Sequence, residues 1–218
     1  MKLNKILVLV LSVFFLASCS SLPCRKCFER FPVGSENIEK PLSSIDTVVY
    51  KVGLNLYTMY FSGLLVVKKL SEDHHKLALI SETGFKLFDM EIKNGKAEIL
   101  NVFAELDKDS VKKTFKEDLT LLVLSGFNKN KCKSYGFEKK KDILYMCPEI
   151  RDIATFVVVD PDTGIVSKVW KAEDEDEEFV EINYGFEGKE FSKPKFITII
   201  HFNIHLRIEL TLVEEGNV

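Results

Sequence analysis

The clearest pattern in the chain is an alternation of apolar and polar residues near its C-terminus. Between Phe196 and Leu212 the even positions are apolar or Thr198, and the odd positions from His201 onwards are polar or charged. A period of two places one row of side chains on each face of a strand. No glycine or proline interrupts the run. It therefore predicts one long, curved antiparallel strand with one dry face and one wet face.

Shorter segments with the same character predict further antiparallel strands. Asn94-Gly95 is a strong hairpin signal, and 160–164 (DPDTG) is typical of a turn. The shorter predicted strands are 77–82, 85–92, 97–103, 155–159, 165–170 and 179–186. The run from Leu54 to Leu70 is apolar on both faces, so we expect a strand that is covered on both sides. Something must then pack inside the curve of the sheet.

One segment follows the period of a helix instead, and it is the candidate for that internal element. Asp109 or Ser110 can cap it and Gly126 can end it. Its apolar stripe consists of Val111, Phe115, Leu119, Leu122 and Val123. The predicted fold class is mainly β (α+β), a curved antiparallel sheet with one or more helices packed in its concave face.

The first twenty residues predict export. Two lysines precede an apolar run, 6–16, that is too short to span a bilayer. The tetrad Leu16-Ala17-Ser18-Cys19 resembles a bacterial lipobox, which implies cleavage before Cys19 and attachment of the acyl chains, palmitate among them, to that residue. An ordinary secretory signal with an incidental cysteine is the alternative. We expect a bacterial envelope protein with an N-terminal lipid anchor in the membrane.

The same reading divides the chain into three parts. Residues 1–18 are the predicted signal peptide, 19–46 a flexible tether with several prolines and serines, and 47–218 the folded domain. Ser20 and Ser21 provide no acidic inner-membrane retention signal, so the outer membrane is the expected location. Removal of Lys2 and Lys5 with the signal leaves a net charge of about −5, which gives no electrostatic case for nucleic acid as a partner.

The cysteines fit an oxidising compartment. Beyond Cys19 there are four, Cys24, Cys27, Cys132 and Cys147, which allow two disulfides in three connectivities. Cys132 and Cys147 flank a predicted hairpin and are the preferred pair. A local disulfide or free thiols at Cys24 and Cys27 are favoured over redox catalysis, because that pair does not follow a strand at the start of a helix.

We find no pattern that predicts an enzyme, a metal site or a cofactor. His201 and His205 lie on one strand, where residues four apart are about 13 Å from each other and cannot hold one ion together. His74 and His75 fall in a polar hairpin and are expected to be solvated. The acidic run 173–178 is better explained as a solvated loop than as a cation site. Nucleophile elbows and phosphate-binding glycine loops are absent from the sequence.

The order of these parts resembles the LolB/LolA-type lipoprotein carriers of the bacterial envelope. The likeness is carried by the lipobox, the tether, the segments 61–68 (FSGLLVVK) and 77–90 (LALISETGFKLFDM), and the mid-chain helix. It covers about Val48 to Val213. It implies an incomplete antiparallel β-barrel with helices plugging its mouth and an apolar interior that holds the acyl chains of a lipoprotein, or another lipid.

On this resemblance, eleven apolar residues would line the cavity or close it. They are Tyr60, Leu64, Val66, Phe115, Leu119, Leu122, Phe196, Ile200, Phe202, Ile204 and Leu206. The same side chains could instead fill a packed core. A void of several hundred Å3 would favour a carrier, whereas close packing would favour a structural or assembly lipoprotein that docks to an outer-membrane complex.

The sequence departs from this family at one hairpin. LolB carries an exposed bulky apolar residue on an early protruding loop, but 71–76 (SEDHHK) is wholly polar here. The sequence does not specify the ligand, the partner, the leaflet or the oligomeric state.

Overall fold

The structure is a computed structural model that describes residues 28–29, 38–43, 45–137, 140–149, 153–173, 178–187 and 193–214. These residues form thirteen strands and one α-helix, α1 (Asp109–Leu122). The strands are β1 (Phe28–Glu29), β2 (Thr47–Leu56), β3 (Met59–Ser71), β4 (His74–Ser81), β5 (Lys86–Lys93), β6 (Lys96–Val102), β7 (Lys133–Phe137), β8 (Lys140–Pro148), β9 (Ala154–Val159), β10 (Val166–Ala172), β11 (Glu178–Gly185), β12 (Phe196–His201) and β13 (Leu206–Leu212).

The strands form one antiparallel sheet in the order β1-β7-β8-β9-β10-β11-β12-β13-β2-β3-β4-β5-β6. Within the described residues β6 pairs only with β5, and β1 only with β7, so the sheet is not closed. Helix α1 packs on its concave face. This is the predicted class: a curved, incomplete barrel around a helix.

Two hairpins follow the turn signals of the sequence. Asn94 and Gly95 connect β5 to β6 with φ values of 51° and 75°, the left-handed conformation that a tight hairpin needs. The turn between β9 and β10 is held by Asp160, whose side chain accepts hydrogen bonds from the backbone N–H groups of Asp162 (2.8 Å) and Thr163 (3.0 Å).

The prediction of one strand from Leu54 to Leu70 is wrong. The chain turns at Tyr57 and Thr58, and β2 and β3 pair with each other on either side of this turn. Tyr57 adopts φ 53° and its N–H donates to the carbonyl of His205 (2.8 Å). The sequence does not reveal this turn, because both faces are apolar on either side of it. Neither a change in the apolar–polar period nor a glycine marks its position.

The prediction of one strand from Phe196 to Leu212 is also wrong. Strand β12 ends at His201, residues 202–205 turn, and β13 begins at Leu206. In β13 the even positions face the core as expected, but in β12 the buried residues are Ile197 and Ile199. The apolar alternation continues through the turn residues, so the sequence conceals both the turn and the change of face.

Helix α1 begins at Asp109, and Lys108 occupies the N-cap position without a side-chain hydrogen bond. The predicted capping by Asp109 or Ser110 is therefore wrong. The helix ends at Leu122, and the chain then leaves it through Leu124 (φ 48°) and Gly126 (φ 79°). Its stripe is as predicted, with Phe115, Leu119 and Leu122 buried against the sheet.

The core extends beyond the predicted domain boundary. Leu42 and Ile45 are buried in the main hydrophobic cluster, and the Glu39 N–H donates to the carbonyl of Gly164 (2.9 Å). These residues lie in the segment that the sequence assigned to the tether, so the parts 38–43 and 45–46 of that segment belong to the folded domain. None of the helical segments in the described part combines the length and the apolar character that a bilayer crossing requires.

Strands β8–β10 bury side chains on both faces. On the face opposite to the main core, Leu144, Phe156 and Val158 form a second cluster with Ala172. The Trp170 ring stacks on Phe156 at 4.9 Å between centroids. A disulfide joins Cys132, just before β7, to Cys147 in β8, the pair that the sequence favours. Cys19, Cys24 and Cys27 lie outside the described residues.

Candidate functional site

The concave interior between the sheet and α1 is filled with side chains. Among the described residues, the void beside Phe115 and Leu119 of α1 measures about 20 Å3, room for about one water molecule. Ligand cavities measure about 300–1,000 Å3. The void is lined by apolar residues alone: Val52, Leu54, Leu65, Leu79, Phe88, Phe115, Leu119, Ile199, Ile208 and Leu210. In this conformation the interior is a packed core.

Four of the eleven predicted lining residues face this interior: Phe115, Leu119, Leu122 and Leu206. Ile204, in the turn after β12, is partly buried and also packs against the main core. Tyr60, Leu64, Val66, Phe196 and Ile200 project from the opposite face of the sheet, and Phe202 lies exposed in the turn after β12. Tyr60 and Phe202 are 64% and 56% exposed, respectively. The two hidden turns explain these errors, because each makes the choice of face unreliable.

The inner residues that the sequence missed lie at the neighbouring positions. In β2 the polar Lys51 and Asn55 mark the solvent face, so Val52 and Leu54 could have been assigned to the interior. In β3, by contrast, Leu64, Leu65, Val66 and Val67 are all aliphatic. Nothing in that run distinguishes the two faces.

A buried polar contact fixes α1 to the sheet. Asp118, which is 1% exposed, accepts hydrogen bonds from His201 Nε2 at both carboxylate oxygens, at 3.0 and 2.9 Å. Burial raises the pKa of Asp118, and the hydrogen bond from His201 opposes that rise. The sequence placed His201 on the wet face of the predicted C-terminal strand and gave no indication of this partner.

Three further hydrogen bonds hold the end of α1 and the residues after it. The buried Tyr184 hydroxyl donates to the carbonyl of Leu122 (2.8 Å), and burial raises the pKa of Tyr184. Ser125 Oγ accepts from the Gly95 N–H (2.9 Å), and the carboxylate of Asp73 accepts from the Gly126 N–H. Helix α1 is therefore tied to the sheet through β11, β12 and two hairpins.

A larger space lies on the other side of α1, at the open side of the half-barrel. We call it the lateral groove. It has a volume of about 540 Å3, within the range of ligand pockets. Its residues come from the β5–β6 hairpin (Asn94, Gly95, Ala97), from α1 and the loop after it (Lys116, Glu117, Thr120, Leu121, Leu124, Ser125, Gly126, Phe127, Asn128), and from Lys131, Cys147, Pro148, Glu149, Thr155 and Lys171.

The floor of the lateral groove is mainly apolar. Leu121 and Leu124 are 5% and 2% exposed, and Ala97 and Phe127 also pack against the main core. Cys147, with its disulfide to Cys132, lies on the side opposite the hairpin. An open trough of about 720 Å3 between α1 and β6 adjoins the groove at Lys116 and Glu117.

Exposed aromatic side chains mark one end of the sheet. Tyr57, Phe85, Phe103 and Phe202 are 44–69% exposed. Tyr57, Phe85 and Phe202 lie in the β2–β3, β4–β5 and β12–β13 connections, respectively, and Phe103 follows β6. All four positions fall at the same end of the antiparallel sheet. The hairpins β3–β4 and β5–β6, at the other end, carry polar residues.

The remaining histidines differ in their surroundings. His74 pairs with Glu91, and His205 contacts the ring edge of Tyr57. His75 is only 2% exposed, so the expectation that it is solvated is wrong. Strand β4 begins one residue before His75, at His74, and the side chain of His75 therefore points into the core. No group of three or more metal-binding side chains comes together in the described part of the chain.

The fold has counterparts among solved structures. A LolA superfamily protein from Nitrosomonas europaea superposes with a TM-score of 0.50 at 8% identity, over 77% of this chain and 83% of that protein. This chain has a LolA-type fold. No protein-family model matches it, and no curated protein matches it in sequence.

Two other solved structures are similar at lower TM-scores. A putative outer membrane lipoprotein-sorting protein domain from Vibrio parahaemolyticus has a TM-score of 0.44 at 11% identity, over 79% of this chain and 86% of that domain. A DUF1329 family protein from Desulfovibrio piger has a TM-score of 0.45 at 6% identity, over 81% of this chain and 89% of that protein.

Proposed function

We propose that this protein is a lipid-anchored envelope protein that binds an acyl chain, or another apolar ligand, in its lateral groove, and acts without covalent catalysis. The lipobox-like tetrad ending at Cys19 supports the anchor, and we propose the outer membrane as its location. Lipoprotein transport to that membrane is the process that the resemblance to the LolA-type carriers implies.

The observation that carries this proposal is the volume and lining of the groove. It holds about 540 Å3 beside Leu121, Leu124 and Phe127, whereas the interior retains about 20 Å3. A ligand in the interior would have to displace α1 and the contact between Asp118 and His201. A ligand in the groove requires neither. Each methylene buried there contributes about 0.8 kcal/mol.

The test uses a soluble form of the whole chain. The substitution Cys19→Ala gives positions 17–19 the A-x-A pattern that an ordinary secretory signal peptidase recognises. Decyl and dodecyl maltoside, uncharged and soluble below their micelle concentrations, are titrated into this protein by calorimetry. The two-methylene difference should make dodecyl maltoside bind roughly 15-fold more tightly.

A matched pair of variants locates the site. Ala97→Trp fills the groove and should weaken binding at least about tenfold. In the control variant Ala78→Trp, the same side chain replaces a half-buried alanine on the face of β4 that points away from the core. This position does not line the groove, so binding should be unchanged. Thr120→Phe, on α1, fills the groove from the helix side as a second check. Binding that survives both groove-filling changes in folded protein would overturn the site.

A second candidate is a docking role at an outer-membrane complex. The packed interior favours it, and so do the aromatic side chains Tyr57, Phe85, Phe103 and Phe202 at one end of the sheet. Clustered exposed aromatic residues are typical of interaction surfaces. If neither maltoside binds, and Tyr57→Ser with Phe202→Ser releases the anchored protein from its complex, the docking role replaces the carrier.

A further inference from the structure

The rim of the lateral groove carries an excess of positive charge. Lys116, Lys131 and Lys171 line it together with the carboxylates of Glu117 and Glu149. Glu149 is paired with Lys171 (3.0 Å), and Glu117 lies 3.9 Å from Lys113, which lines the adjoining trough. Both carboxylates are therefore already matched to lysines. Within the described residues, Lys116 and Lys131 have no ion-pair partner.

These two lysines approach the groove from different segments. Lys116 is half-buried in the middle of α1, where the groove meets the open trough along β6. Lys131 ends the short 3-10 segment 129–131 that leads into the disulfide-bonded Cys132. An amphiphile whose chain lies on Leu121 and Leu124 would bring its headgroup to the rim, where both ammonium groups can donate hydrogen bonds.

We propose that the ligand of the lateral groove is a single-chain amphiphile with an anionic headgroup, a carboxylate or a phosphate, which Lys116 and Lys131 bind. This inference rests on the proposed function and specifies the chemistry of the ligand. Its basis is the complementarity between an apolar floor and two uncompensated cations on the same rim.

The experiment compares headgroups at constant chain length. Dodecyl phosphate, laurate and dodecyl maltoside are titrated into the Cys19→Ala protein at pH 8 and low salt. The headgroup of an anionic probe would form partly exposed charge pairs with Lys116 and Lys131. These two pairs should make the anionic probes bind about three- to tenfold more tightly than the maltoside. The preference should shrink as salt is raised to about 1 M, because the screening length then falls to about 3 Å. Whichever anion binds more tightly identifies the headgroup class.

Charge-removing variants assign the effect to the rim. Lys116→Gln with Lys131→Gln should abolish the preference, so that dodecyl phosphate and laurate bind no more tightly to this variant than dodecyl maltoside does. Lys51→Gln with Lys68→Gln, at exposed positions on the opposite face of β2 and β3, makes the same change in net charge away from the groove. This control should retain the full preference.

The outcomes separate the two proposals. If all three probes bind equally, or if the preference survives Lys116→Gln with Lys131→Gln, the anionic ligand is excluded while binding in the groove stands. If the preference falls equally in the Lys51→Gln with Lys68→Gln control, the effect comes from overall charge and the inference is overturned. If no probe binds, the proposed function fails and this inference fails with it.

Discussion

Asp118 is the one acidic side chain that α1 buries against the sheet, and within the described residues His201 is its hydrogen-bond partner. A carboxylate without a partner in an apolar core carries a large desolvation cost. The raised pKa of Asp118 reflects that burial. The pair with His201 compensates this carboxylate and holds the middle of the helix on the sheet, while other hydrogen bonds hold its C-terminal end.

Breaking this pair should destabilise the protein more than removing it. His201→Ala leaves the Asp118 carboxylate buried without its donor, and we expect the free energy of unfolding to fall by about 3–5 kcal/mol. Asp118→Leu with His201→Leu should cost much less, because no charge is then left buried. Urea denaturation of both variants measures the difference. A double variant as unstable as His201→Ala would show that the pair contributes packing rather than charge compensation.

His75 provides a pH dependence of stability. Burial lowers its pKa, and nearby Lys69, Lys40 and His74 add to this, while Asp73 opposes it. Between the unfolded value of about 6.5 and the lower folded value, the unfolded chain binds a proton that the folded protein does not. Stability therefore falls as the pH is lowered through this window, by at most about 1.4 kcal/mol per pH unit.

The measurement is the free energy of unfolding at intervals from pH 7.5 to 5 in the wild type and in His75→Leu. The variant should lose less stability over this range, because it has no group at this position to protonate. Parallel curves for the two proteins would contradict the assignment to His75 and indicate that other groups control the acid transition.

At the scale of elements, β3 and β4 approach each other closely at Gly63. A Cβ atom at this position would lie 2.1 Å from the carbonyl oxygen of Ile80, which is backbone and cannot rotate away. The sequence contains Gly63 in the string that resembles the LolB-type carriers, but it does not show what approaches it. Pairing between two strands creates this constraint.

Gly63→Ala should therefore separate β3 from β4 locally and lower the free energy of unfolding by about 3 kcal/mol. Gly53→Ala is the matched control in β2. Its Cβ would lie 3.3 Å from the Tyr60 hydroxyl, the end of an exposed ring that can move, so a loss below about 1 kcal/mol is expected. Equal thermal unfolding temperatures for the two variants would contradict the close approach.

The elements differ in how well the sequence predicts them. Helix α1 has a 3.6-residue stripe with polar residues between its apolar ones, and the stripe is buried as expected. The Asn94-Gly95 hairpin carries a turn signal of its own. The turn at Tyr57 and Thr58 has no such signal and is held by the backbone of His205 in another hairpin. Local patterns fail where a distant segment supplies the hydrogen bond.

At the scale of the molecule, the proposed anchor determines where the groove operates. We expect the wild-type protein to incorporate a labelled palmitate analogue and to sediment with membranes. Cys19→Ala should lose nearly all of the label and appear in the soluble fraction, because the proposed anchor attaches to this cysteine. Cys24→Ala, five residues further on, is the matched control and should retain the label. Label that persists in Cys19→Ala would contradict the lipobox.

The sequence by itself determined the fold class, the helix and its buried stripe, and several hairpins, because residue spacing and turn chemistry act over a few residues. It also specified the candidate disulfide pair, through the positions of Cys132 and Cys147 around a hairpin. Only the tertiary structure decided which face of β3 and β12 is buried, since both faces of these segments carry apolar residues. It also decided that the interior is packed and that the lateral groove is open. Those volumes depend on how α1 sits on the sheet, and contacts between segments far apart in the sequence, such as Asp118 with His201, set that position.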